Sequence, residues 1–119
     1  MDAQTARARL KGVMCIKDID TNMKEDIVIQ RFIDNWLDFD LSVRERNGIN
    51  KEKLMKLESS FKEIKELISA LGMVPIPIAG IFIDLYSAIE SQSSCYKNEQ
   101  EILKTADFLS GLARDVCYP

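Results

Sequence analysis

The carboxylates Asp34, Asp38 and Asp40 are the first residues whose types and spacing suggest chemistry. Asp34 and Asp38 lie four apart, one helical turn, so both project from one helix face as metal-holding carboxylates in helical bundles do. Bundle metal sites usually complete that pair with a Glu-x-x-His unit. The chain has no histidine, so the acidic group reads as a solvated face and no metal or other cofactor is expected. The missing imidazole also removes the usual general base at neutral pH. Cys15, Cys95 and Cys117 are odd in number, far apart and free of any Cys-x-x-Cys pair. They therefore make neither a disulfide framework nor a tetrahedral zinc site. Free thiols in a reducing, cytoplasmic compartment are the expectation. Glycines at 12, 48, 72, 80 and 111 stand alone, which leaves no phosphate-cradling loop and no nucleophile elbow. Neither an enzyme nor a small-molecule substrate is expected.

The elements that carry these residues are read from apolar spacing. Ile29, Phe32, Trp36, Phe39 and Val43 recur at steps of three and four, as do Leu54, Leu57, Phe61, Ile64, Ile68 and Leu71. Ile102, Ala106, Leu109, Ala113 and Val116 form a third stripe, widened by Leu103, Phe108 and Leu112. That period belongs to amphipathic helices. Asn22-x-x-Glu25 and Asn98-x-x-Glu101 read as capping boxes, Asn50 as an N-cap, and Asn47-Gly48 and Gly72 as stops. These marks predict five helices at about 3–15, 23–46, 51–71, 78–92 and 98–115. Asp38 and Asp40 interrupt the second stripe and mark a place for it to bend or stop. The fold class is all-α: residues 1–119 form one single-domain bundle of four to five helices.

Residues 67–83 hold no charged side chain in a chain where 29% of residues are charged. Two readings compete. In one, this is a central apolar helical hairpin, with Pro75 and Pro77 as a stiff connector and the fourth helix surrounded on every side. In the other, Met73, Val74, Ile76, Ile81 and Phe82 form an exposed contact surface. Residues 71–91 resemble the proline-punctuated helical hairpins of pore-forming and membrane-associated proteins, including the central helices of insecticidal crystal-toxin domains. The likeness lies in composition and the Pro77-x-x-Gly80 rhythm, and no function is carried over from it. The run is too short and too broken by proline for a transmembrane helix.

The net charge is −3, but residues 1–17 sum to +3 through Arg7, Arg9, Lys11 and Lys17 against Asp2, leaving −6 elsewhere. That basic segment is the candidate contact for an acidic or membrane surface. An acidic chain of this kind is not expected to bind nucleic acid. The expected function is non-enzymatic protein–protein interaction, as a small adaptor, inhibitor or regulatory protein with a protein partner or by self-association. The alternative is peripheral membrane association through Arg7, Arg9, Lys11 and the 73–83 tip.

Overall fold

The computed structural model describes the backbone of residues 16–118, with side chains from Lys24 onward. The predicted helix at 3–15, the basic residues Arg7, Arg9 and Lys11, and Cys15 lie outside the described residues. Four helices account for most of the rest: α1 (Ile16–Arg44), α2 (Lys51–Leu71), α3 (Ile76–Glu90) and α4 (Glu99–Cys117), with one 3-10 turn at Ser93–Cys95. There is no strand among the described residues, and the fold is an all-α bundle.

Several boundaries follow from local chemistry. Asn50, in extended conformation (φ −78°, ψ 107°), accepts the Lys53 amide at 3.0 Å and starts α2. Gly72 ends it with a left-handed φ of 71°, its amide bonded to the Ile68 carbonyl at 2.8 Å. Asn98 caps α4 by accepting the Glu101 amide at 3.3 Å, and its side-chain amide, rather than its backbone N–H as in a full capping box, donates to the Glu101 carboxylate at 3.3 Å.

Three expectations about ends and bends change. Asn22 lies inside α1, which is already helical at Ile16, the first described residue; nothing between Ile16 and Arg44 breaks a helix, so the Asn-x-x-Glu pattern is not needed as a start. Helical structure also continues through Asp38 and Asp40, because both carboxylates sit on flanks of α1 where cations meet them. Lys53 Nζ lies 3.0 Å from Asp38, and Arg44 Nε lies 3.0 Å from Asp40. Pro77 belongs to the first turn of α3 rather than to the connector. Its missing N–H falls where the helix has no internal partner to offer.

Short connections make successive helices alternate in direction. The α1–α2 seam shows this directly: Arg31 pairs with Glu63, Asn35 Nδ2 donates to Ser60 Oγ at 2.5 Å, and Asp38 meets Lys53. As the number on α1 rises, that on α2 falls. Around the bundle, α1 packs on α2 and α3, and α4 packs on α2 and α3. Consecutive helices α2 and α3 therefore occupy opposite corners, meeting through the rings of Phe61 and Phe82, which stack with centroids 5.9 Å apart. The expected central hairpin of adjacent helices is replaced by this diagonal pair.

A diagonal step constrains the connector. Helices about 8–10 Å apart put opposite corners roughly 11–14 Å apart. The five Cα–Cα steps from Leu71 to Ile76 reach at most about 17 Å when extended. Pro75, held at φ −57° and ψ 142°, supplies the extended backbone.

Most of the core comes from the three predicted stripes, and Ile78, Leu85 and Ile89 of α3 join it, while Ile29, Leu54 and Leu71 are only partly buried. Phe32, Phe39, Val43, Leu57, Ile64, Ile102, Ala106 and Leu109 are fully or almost fully buried, and Trp36 is 5% exposed. Phe32 sits edge-on to both Phe61 and Phe82, at centroid distances of 4.9 and 5.9 Å. This triad joins three helices at the bundle centre. Phe108, expected to widen the α4 stripe, is 43% exposed instead. It stands one residue before the buried Leu109, so the turn of the helix carries it onto the flank.

Candidate interaction face

α3 has only two charged residues, Asp84 and Glu90, in its 15 positions. Such a helix is expected at the centre of a bundle, yet it occupies a corner and buries one side. Ile78, Leu85 and Ile89, spaced seven and four apart, are the buried set. Ile81, Phe82 and Ala88 flank them, partly buried against the core. The opposite side carries Ile76, Gly80, Ile83 and Ser87 at steps of four, three and four, one continuous outer stripe. Ile76 is 84% exposed and Ile83 78%. Gly80 between them is exposed, and a Cβ built on it would meet nothing within 4 Å.

The connector extends this face. Met73 is 48% exposed, whereas Val74 packs against the core. Of the five residues singled out from the sequence, Met73 and Ile76 are presented to solvent. Val74, Ile81 and Phe82 are turned inward, Phe82 into the aromatic triad. Ile83 and Gly80 were missed. The signal that finds them is the phase of the helix: Ile78, Leu85 and Ile89 continue a three-four pattern, which leaves positions 76, 80, 83 and 87 outside.

The N-terminus of α3 is chemically open. No side chain caps it and no acidic residue lies in its first turn. The amides of Ile78 and Ala79 both reach the Pro75 carbonyl at 3.0 Å, and Pro77 has no N–H. The Ile76 amide is left at the positive end of the helix dipole.

The other candidate chemistry disperses. Asp34 accepts from Gln30 Nε2 at 2.8 Å, while Asp38 and Asp40 serve Lys53 and Arg44. Among the described residues no three His, Cys, Asp or Glu side chains converge as metal ligands. Cys95 and Cys117 are free and exposed. An open hollow of about 450 Å³ lies between α2 and α4, lined by Leu54, Asn98, Gln100, Glu101, Lys104, Thr105 and Phe108. Several of its polar groups are committed to the start of α4: Asn98 caps the Glu101 amide and donates to the Glu101 carboxylate, and Thr105 Oγ1 donates to the Glu101 carbonyl at 2.8 Å. No nucleophile–base pair faces into it. Exposed apolar residues elsewhere, such as Leu37 and Leu41 on α1, are interleaved with Asp38, Asp40 and Arg44. Exposed apolar side chains set among charges are ordinary, and among the described residues the α3 stripe is the one built from apolar and small residues over three turns. Among the described residues no helix is long and apolar enough to cross a membrane.

Comparison with protein-family models, with curated proteins and with solved structures finds no match for this chain. The likeness of residues 71–91 to helical hairpins of membrane-active proteins thus gains no support from any solved fold.

Proposed function

We propose that this chain is a non-enzymatic protein-interaction module that binds through the outer face of α3 and the connector before it. The observation that carries the proposal is the exposure of Ile76 and Ile83, two turns apart on one helix, with an open glycine between them. A bundle can hide an apolar stripe by rotating the helix, and here the buried stripe has already taken that option. A second apolar stripe on the same helix is then left for another surface. The module would act as a small adaptor, inhibitor or regulatory protein, with affinity from apolar burial and register from Asp84 and Glu90 at the rim. The free, exposed thiols of Cys95 and Cys117 favour a reducing, cytoplasmic setting for it.

The test is site-specific photocrosslinking in the native cell, with the photoreactive residue at position 83 or, as control, at the exposed, charged position Glu66. Discrete protein adducts from position 83 alone are expected. Equal labelling from both positions, or none from 83, would defeat the proposal. The runner-up reading keeps the same exposed residues, Met73 and Ile76, but inserts them shallowly into a lipid surface. Flotation with anionic liposomes at low salt separates the two: a chain that stays at the bottom of the gradient ends the lipid reading.

A further inference from the structure

The outer face of α3 has an internal symmetry that selects its occupant. We infer that the partner of this face is a second copy of the chain, docked as an antiparallel α3–α3 pair about a two-fold axis that passes between Ala79 and Gly80. The inference rests on the proposed interaction face.

In that arrangement Ile76 of each copy faces Ile83 of the other, and Ala79 faces Gly80. The bulky side chains meet at the two ends and the small residues meet near the axis, so the helices can approach closely where Gly80 presents no Cβ against the single methyl of Ala79. A two-fold contact uses the same patch twice and closes on itself, which leaves no exposed remainder to propagate.

The charges fit the same geometry. With the helices antiparallel, Asp84 of one copy lies level with Pro75 and Ile76 of the other, beside the helix end that has neither a cap nor an acid of its own. Each copy thus supplies the carboxylate that the other's positive end lacks. A parallel pair would set Asp84 against Asp84 and Glu90 against Glu90, and would stack two uncapped positive ends. The dimer is therefore antiparallel.

Its size makes it transient. A 15-residue helix is about 22 Å long and roughly 10 Å wide. The footprint is a few hundred Å² per copy, below the roughly 800 Å² per partner of a stable complex. The association is concentration-dependent.

Sedimentation equilibrium from about 5 µM to about 500 µM covers the affinities of such contacts. The mass is expected to rise from the 13.6 kDa monomer toward twice that value. Gly80→Lys should hold the mass at 13.6 kDa throughout. Its side chain enters open space in the monomer, and a helix interior favours Lys over Gly, so its melting temperature should be unchanged or higher. Asp84→Asn should weaken association about threefold to thirtyfold, the two helix-end contacts together. A wild-type chain that stays monomeric at the top of the range overturns the second-copy inference and leaves the interaction face standing. A dimer that survives Gly80→Lys overturns the assignment to α3. If Ile76→Asp/Ile83→Asp unfolds the monomer, the face belongs to the core and both the inference and the proposed function fall.

Discussion

Phe82 and Ile83 are adjacent in sequence, similarly apolar, and on opposite sides of α3, so truncating each to alanine tests the phase of the helix. Phe82 is partly buried and makes two ring contacts, edge-on to Phe32 and stacked on Phe61, each at 5.9 Å. Aromatic pairs contribute about 0.5–1.5 kcal/mol beyond area burial, and Phe→Ala in a core costs about 3–5 kcal/mol. Partial exposure lowers that range, and about 2.5–4 kcal/mol is the expected loss for Phe82→Ala. Ile83 is 78% exposed; removing its side chain forfeits little burial, and alanine is the better helix former. Ile83→Ala should thus lie within about 0.5 kcal/mol of the parent. For a chain of this length, with about 3–5 °C per kcal/mol, the first variant melts roughly 8–20 °C lower and the second within about 2 °C. Urea titration gives the same contrast when followed by circular dichroism and by the fluorescence of Trp36, which is 5% exposed and shifts to the red on unfolding. Measurements belong at low micromolar concentration, where the proposed dimer is dissociated. Equal losses at the two positions, or a larger loss at 83, would mean that α3 is rotated and that the outer face described above is an inner one.

Three further substitutions probe the ends of the helices. Gly72→Ala forces a side chain onto a φ of 71° and should lower stability by about 1–2 kcal/mol in urea titration, although there is free space around the position. Arg46 holds a φ of 61° without being glycine; Arg46→Asn should raise stability by about 0.5 kcal/mol, since asparagine tolerates the left-handed region, and a fall would refute the strain. Tyr96→Phe removes the hydroxyl that donates to the Val43 carbonyl at 2.5 Å and accepts from the Gly48 amide at 3.3 Å. A loss of about 1–2 kcal/mol is expected. Hydrogen exchange at Gly48 should accelerate at least about tenfold, if that bond is what protects it.

The division between what the sequence discloses and what it hides follows from where each property is encoded. The α1, α2 and α4 stripes are legible because charged residues fill their opposite faces. A helix with Lys51, Glu52, Lys62 and Glu66 on one side can be buried in only one orientation. α3 has no such contrast: apolar residues lie on both sides of Ile78, Leu85 and Ile89, so composition places it in the core, and Val74, Ile81 and Phe82 are easily mistaken for the exposed set. Its position at a corner is decided by α1, α2 and α4, through Phe32, Phe61 and the diagonal step that Pro75 makes possible. Of these, only Pro75, the residue just before its first turn, is local to α3. Tyr96 fails to announce itself for the same reason. Nothing in the polar segment around it points to a carbonyl 53 residues earlier, and only the meeting of the α1–α2 and α3–α4 connections at one end of the bundle brings the two together. The outer stripe of α3 lies between these cases. The seven-residue spacing of Ile76 and Ile83 with Gly80 between is plain in the sequence, but it acquires meaning once the buried side of the helix is fixed. Among the described helices α3 carries the least charge, and its outer face is the surface on which the proposed contact depends.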